Sequence, residues 1–379
     1  MGSSLLKVLL SVEQLRRRVP GGIGTYAESC LRALSQMREA DSIRSTGANS
    51  DALAVSLFAS APKRGGADPL DQYGFPILAG RLPQRLSQAL WDLSLFGPDL
   101  TDFDVYHSFS MGGPRSLRPG TKAVFALYDL AWIKHPEAFP KRGRRWHDRA
   151  LRDISTRADA VVTLSEFSST ELSNFGIAKE KIHVIPPGAD HLAVSDRQAA
   201  SKLLESLGVK GPFLLSVSTI EPRKNLARLV EAYGMFKMDG VGPIDLVIVG
   251  PDGWMTSDTG RPPGVKLAGR VEASVLSALY GMAEALAYVP LYEGFGMPVL
   301  EANASCVPVV ASNVPAAHGS ALVVDPLSVD SIAAGLSRIV SDSRLRSELV
   351  SAGLQKATES TWNRAAQAHV DLWSALGRP

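Results

Sequence analysis

The run Pro290-Leu291-Tyr292-Glu293-Gly294-Phe295-Gly296-Met297-Pro298-Val299-Leu300-Glu301-Ala302 decides how this chain is read. The apolar residues Ala285 to Val289 lead into it as a buried strand. Two glycines bracket Phe295, and Pro298 stands where proline suits the first turn of a helix. Strand, glycine turn and helix start leave backbone N–H groups unpaired, with the helix dipole behind them. Such a turn is a ready anion site, and phosphate is the usual anion. Glu293 precedes the turn, and Glu301 lies about one turn into the helix. An ionised carboxylate only accepts hydrogen bonds, so it suits the hydroxyls of a sugar. A phosphate cradle between two hydroxyl acceptors describes a site for a nucleotide sugar.

Around this run lie 379 residues, enough for two domains of ordinary size. Hydrophobic residues make up 45% and charged residues 21%, a soluble globular composition. A net charge of +2 gives no nucleic-acid or membrane signal for the chain as a whole. Cys30 and Cys306 are far apart and form no CxxC pair, which points to a reducing compartment. The first apolar run is interrupted by Lys7 and followed by Arg16, Arg17 and Arg18, the wrong order for a signal peptide. No apolar run approaches the roughly 20 residues of a membrane helix. A cytoplasmic location is expected.

In the first half, Leu5 to Val12 reads as a buried strand, followed by Pro20-Gly21-Gly22-Ile23-Gly24 and a helix carrying Tyr26, Leu31 and Leu34. Gly22-x-Gly24-x-x-Ala27 is a poor dinucleotide fingerprint, because its first glycine does not end the strand. It reads as a mobile glycine loop that a ligand can approach closely, or as a plain connection. Further strands are predicted over 52–59, 104–108, 123–128, 160–164 and 182–185, with a helix over 86–95 and another from Thr170 to Phe175. Open α/β sheets bind ligands at the C-terminal ends of their strands. His107, Tyr128 and Asp129 are therefore candidates for the sugar or acceptor side, and equally read as structural polar residues. Lys141 to Arg149 is densely basic and begins a helix. It reads as a solvated face, or as a face for an anionic acceptor or anionic membrane surface.

Pro186-Pro187-Gly188 marks a domain boundary, after which a second alternating series opens with a strand over 213–217. Glu221-Pro222-Arg223-Lys224-Asn225 follows, with Asn225 expected to cap a helix bearing Leu226, Leu229, Val230, Tyr233 and Phe236. Two cations before a helix N-terminus oppose its dipole unless an anion joins them, which argues for bound phosphate. Strands over 245–250, 265–267, 307–311 and 321–324 continue the series, and helices are expected over 329–340, 345–357 and 362–376. Two β/α series imply two parallel-sheet domains with a cleft between them, the plan of a two-substrate enzyme. The domains are expected at 1–188 and 189–360, with a last helix over 361–379.

Glu-Gly-Phe-Gly-x-Pro-x-x-Glu (293–301) resembles the E-x7-E pattern of the retaining glycosyltransferases of family 4. Residues 221–225 are similar to the same family's diphosphate-binding segment, and 19–24, 165–168 and 308–313 fit in order. The resemblance runs through most of the chain. It implies the α/β GT-B fold, with two Rossmann-like domains facing each other and the last helix crossing back to the first. Arg223 and Lys224 would neutralise the donor diphosphate, and Glu293 would hold hydroxyls of the transferred sugar. The amides of Phe295, Gly296 and Met297 would bind sugar and phosphate, and Glu301 the ribose hydroxyls. Gly22 would lie against the phosphate, and Arg270 and Val271 beside the base.

The resemblance further implies metal-independent transfer of a hexose with retention. Similarity around Trp132 and His135-Pro136-Glu137 to mannosyl- and rhamnosyltransferases favours GDP-mannose as co-substrate, with no other cofactor. The acceptor would be a glycolipid or polysaccharide, with no nucleic-acid partner, and the enzyme would be peripheral on the inner face of the plasma membrane. Three departures stand out. Tyr128 replaces the family's usual histidine before Asp129, the segment after Asn313 is short, and Ser305-Cys306 stands where the family prefers a glycine. The competing classes are a degenerate nucleotide-sugar-binding partner subunit and an epimerase or phosphorylase on the same fold.

Overall fold

The computed structural model describes residues 5–17, 21–44, 53–61, 67–80, 82, 86–87, 90–91, 102–114, 117, 119–238, 242–251 and 262–377. Most of the helix expected over 86–95 lies outside these. Contacts divide the chain into two compact units. One comprises Met1–Leu130, Lys141–Pro187 and Trp362–Pro379, and the other Ala131–Pro140 and Gly188–Thr361. The short segment 131–140 thus groups with the second unit although first-unit sequence flanks it.

The first unit runs β1 (Leu6–Ser11), α1 (Gly21–Arg44), β2 (Leu53–Ala59), β3 (Ile77–Ala79), β4 (Val105–Ser108) and β5 (Lys122–Ala126). After α2 (Ala131–Lys134), which belongs to the second unit, it resumes with α3 (Lys141–Arg157), β6 (Ala160–Thr163), α4 (Glu166–Asn174) and β7 (Ile182–Val184). Among the described residues its sheet has seven parallel strands in the order β3-β2-β1-β4-β5-β6-β7. Val8, Leu9 and Leu10 of β1 and all of β4 are buried, as a sheet covered on both faces requires. α4 starts earlier than its apolar pattern suggests, because Ser165 caps it, its hydroxyl accepting from Ser168 N at 3.1 Å.

The second unit runs α5 (Arg197–Ser206), β8 (Phe213–Val217), α6 (Leu226–Met238), β9 (Asp245–Val249), β10 (Val265–Gly269), α7 (Ala273–Met282) and β11 (Ala285–Tyr288). It continues with α8 (Met297–Ala304), β12 (Val309–Ala311), β13 (Leu322–Val323), α9 (Val329–Ser341) and α10 (Ser343–Glu359). Among the described residues its sheet has six parallel strands in the order β10-β9-β8-β11-β12-β13. Its core joins Leu214, Leu246 and Ala287 from the strands to Leu229, Tyr233 and Phe236 from α6. These two Rossmann-like units are the α/β architecture of a GT-B protein.

The last helix, α11 (Trp362–Gly377), belongs to the first unit and packs on α1. Its apolar face explains this. Trp362 sets its ring edge-on to Tyr26 with centroids 5.2 Å apart, and Trp373 is fully buried. Burying aromatic area of this size is a large stabilising contribution. Trp373 Nε1 donates to His107 Nδ1 at 3.0 Å, so His107 anchors this helix from inside β4.

Candidate active site

In the second sheet the chain leaves β8 toward one side and returns at β11 on the other, so these neighbours are not consecutive in sequence. A crevice opens at the C-terminal ends of such a pair, where open α/β sheets bind ligands. The segment after β8 carries Arg223 and Lys224, and the turn after β11 carries Glu293. The topology therefore joins two motifs that stand 69 residues apart.

Glu293 is the hub. Its Oε1 pairs with Lys224 Nζ, accepts from Tyr288 Oη at 2.9 Å and lies 3.0 Å from Arg223 Nη1. Arg223 also donates to Glu221 Oε1 at 2.8 Å and to the Tyr292 carbonyl at 2.9 Å. Burial pushes the Glu293 carboxyl up, but Lys224 and Arg223, with the hydrogen bonds from Lys224 and Tyr288, outweigh it and hold the pKa at about 2. The anion that the sequence pattern demanded beside the two cations is thus supplied by the protein itself. Asn225 is no N-cap. It sits in the left-handed region at φ 60°, which asparagine tolerates, and its Nδ2 donates to the carbonyls of Val289 at 3.0 Å and Pro326 at 2.7 Å. It ties the Arg223–Lys224 turn to the end of β11.

The turn from β11 into α8 has the expected strand–glycine–helix geometry. Gly296 precedes the helix at φ 99°, and a Cβ there would lie 2.9 Å from Val314 Cγ2. No side chain caps α8, and among the described residues no protein acceptor takes the amides of Phe295, Gly296 or Met297. Adjacent donors at a helix N-terminus suit an anion. The short segment after Asn313 braces them: Ala316 N donates to the Phe295 carbonyl at 2.9 Å. Lys356 in turn donates to the carbonyls of Ala316 and His318 at 2.8 and 3.2 Å.

Glu301 is nearly buried and already held. His191 Nε2 donates to its Oε1 at 3.1 Å and Tyr280 Oη to its Oε2 at 2.6 Å. A carboxylate has about four lone-pair positions, so two remain for ligand hydroxyls. Neither His191, just past the Pro-Pro-Gly boundary, nor Tyr280, in α7, follows from sequence pattern, and pairing along the fold alone reveals them. Arg270 is exposed just after β10, with Val271 half-buried beside it.

The first-unit candidates fare differently. His107 is fully enclosed, stacked on Phe109 and bonded to Trp373, so it is a core residue and not a ligand contact. Burial, with His369 nearby, holds its pKa well down. Tyr128 tilts against Tyr26 at 5.3 Å, and its hydroxyl is enclosed with no partner among the described residues, so it presents no polar group to a ligand. Asp129 is half-buried and lies near His147, whose pKa burial lowers while the Gly143 carbonyl and Asp129 offset part of that shift. Gly22 is no loop residue but part of the first turn of α1, exposed and with open space around it.

Two Rossmann-like parallel-sheet units of this kind are the fold of a class of glycosyltransferases. Residues 20–191 match the model of Glycosyltransferase Family 4, and residues 203–356 match that of Glycosyl transferases group 1. The chain is accordingly a family 4-like glycosyltransferase with the GT-B fold. It is 28% identical to O-antigen chain mannosyltransferase B of Escherichia coli over 292 residues, 73% of this chain and 76% of the relative. It is also 28% identical to the GDP-mannose-dependent alpha-(1-6)-phosphatidylinositol monomannoside mannosyltransferase of Mycolicibacterium smegmatis, over 65% of this chain and 69% of the relative. Among solved structures, Anabaena HepE in complex with UDP and glucose superposes with a TM-score of 0.70 at 18% identity, covering 98% of this chain and all of that one. That likeness is one of fold. No described helix is long and apolar enough to cross a membrane.

Proposed function

We propose that this glycosyltransferase moves a mannose-type hexose from GDP-mannose, with retention of anomeric configuration, to a glycolipid or polysaccharide acceptor. The observation that carries the donor reading is the set of amides at Phe295, Gly296 and Met297 without a protein acceptor among the described residues, in the turn that bears Glu293, the partner of Arg223 and Lys224. The diphosphate would sit on those amides, with Arg223 and Lys224 exchanging part of their pairing with Glu293 for its charge. Charge that develops on the departing diphosphate is then met by donors already in place, the arrangement that contributes most to many enzymatic rate accelerations. Those two cations supply the countercharge, so transfer is expected to be metal-independent. Glu293, freed in part from the cations, would accept from hydroxyls of the hexose, and Glu301 from those of the ribose. The departing phosphate would take the acceptor proton on the same face.

Two mannosyltransferase relatives favour mannose, and GDP follows from the name of one of them. Arg270 and Val271 would lie beside the base. On α3, Lys141, Arg142, Arg145, Arg149 and Arg152 are exposed, spaced so that most fall on one face of the helix. Each such cation near an anionic bilayer contributes about 1 kcal/mol, so this face would hold the enzyme on the membrane that carries a lipid acceptor.

The test is a thermal-shift panel of GDP, UDP and ADP with their sugars, since a ligand that binds the folded state raises its melting temperature. Transfer from the stabilising donor follows, with NMR of the product's anomeric proton and an EDTA control. GDP-mannose should give the largest shift. A larger shift with UDP-glucose, as the HepE complex would suggest, replaces the donor assignment. Pelleting with anionic but not zwitterionic vesicles tests the membrane face.

A further inference from the structure

The segment 131–140 is contributed to the second unit from within first-unit sequence. It brings His135 against Tyr292, with ring centroids 6.0 Å apart, and Tyr292 immediately precedes Glu293. The segment is well defined. His135 N donates to the Ala131 carbonyl at 2.8 Å, and Ala138 N donates to the His135 carbonyl at 3.0 Å. The turn so closed, beginning at Pro136, brings Glu137 back to the imidazole, where Oε1 lies 3.1 Å from His135 Nδ1. A carboxylate accepts only, so the proton of the neutral ring sits on Nδ1 and the lone pair on Nε2. The ring is partly exposed, and among the described residues nothing bonds to Nε2. His107 and His369, by contrast, are wholly enclosed and serve packing. A carboxylate-oriented imidazole with its other edge open is the arrangement by which proteins present a defined acceptor.

We propose that His135, oriented by Glu137, is a hydroxyl-binding residue at the sugar end of this site, its Nε2 accepting a hydrogen bond from a substrate hydroxyl beside Glu293. The inference rests on the assignment of the Glu293 turn to the hexose. Glu293 and His135 would together receive two hydroxyls, which discriminates between hexose epimers or positions the attacking hydroxyl. Glu137 is a positioning residue, acting through the tautomer and orientation of the ring.

The experiment compares wild type, His135→Ala, Glu137→Ala and Glu137→Gln, using the nucleotide sugar that turns over in wild type. Transfer to a detergent-solubilised lipid extract, acceptor-free hydrolysis of the donor, and calorimetric binding of the nucleoside diphosphate are measured. Loss of one neutral hydrogen bond is worth about tenfold. His135→Ala should lower transfer kcat/KM by about that factor and leave diphosphate binding unchanged. Glu137→Ala should follow it, and Glu137→Gln, whose amide oxygen still accepts from Nδ1, should recover most of the loss. If donor hydrolysis falls in step, the hydroxyl is the donor hexose's, and if only transfer falls, it is the acceptor's. Unchanged transfer in His135→Ala overturns the proposal, as does an equal loss of diphosphate binding, which would mark a packing role. Lys224→Ala run in parallel separates the two readings. Intact diphosphate binding in that variant sinks the donor-site assignment itself, whereas a dead Lys224→Ala beside a normal His135→Ala sinks only the role of His135.

Discussion

Replacing Glu293 by Gln should weaken the folded protein and yet tighten its hold on a nucleoside diphosphate. The carboxyl is held at about 2 against an ordinary 4.5, because Lys224, Arg223 and Tyr288 outweigh the cost of its burial. At about 1.4 kcal/mol per pH unit, that gap is worth about 3 kcal/mol of stability at neutral pH. The side chain is only 12% exposed, so solvent screens little of this. A carboxyl whose folded pKa is depressed contributes fully above its unfolded value and loses that contribution as the pH falls through the folded one. The stability difference between wild type and variant should therefore be flat from pH 8 to pH 5 and narrow below about 4.5.

Removing the carboxylate also takes away the counter-charge that Lys224 and Arg223 share, although Arg223 keeps its pairing with Glu221, and so favours phosphate beside them. Unit charges about 4 Å apart interact by about 4 kcal/mol near a protein surface, and recovering a third of that is about tenfold in affinity. Urea denaturation across pH and isothermal titration with GDP read the two effects. Equal stability of wild type and variant, or weaker GDP binding by the variant, would refute the reasoning that Glu293 is a resident counter-ion displaced by the ligand.

Lys224→Ala should lower transfer at least about 100-fold, the usual cost of losing one donor to a developing anion, with the far-UV circular dichroism unchanged. Cys306→Gly should raise stability by about 1 kcal/mol in urea melts, because exposed Cys306, just past the end of α8, sits at φ 57°, a conformation that costs most residues with a Cβ and glycine nothing. Burial pushes His369 down to about 3 and His107 down as well, so both enter the folded state neutral. The unfolded chain then binds the extra protons, and stability should fall by about 1.4 kcal/mol per histidine per pH unit below about 6.5. Urea midpoints of His369→Gln should show a shallower decline between pH 6 and pH 4.

The strands were legible because a parallel sheet buried on both faces must be written as apolar runs, and β1, β2, β8 and β11 stand within a residue or two of the runs that predict them. The cradle was legible for a similar reason. Gly296 has to occupy a left-handed conformation with Val314 at its back, and the proline that follows suits only the first turn of a helix. Cys306 shows the same constraint from the other side, since the position at which glycine is the usual choice is indeed left-handed.

The amino-acid sequence by itself thus determined the two β/α series, the Glu293–Glu301 turn and the pair Arg223–Lys224, all of them local patterns. Tertiary structure alone decided what those groups meet. Strand order brings the end of β8 beside that of β11, so that Glu293 becomes the counter-ion of Lys224. It also placed His191 and Tyr280 on Glu301, used the side chain of Asn225 as a tie rather than a cap, and enclosed His107 under Trp373. Pairing across 69, 110 or 266 residues leaves no periodic trace in the chain, because either partner is equally at home on a solvated surface. Only the packed fold removes the water that would otherwise satisfy them, and so decides which polar groups must find one another.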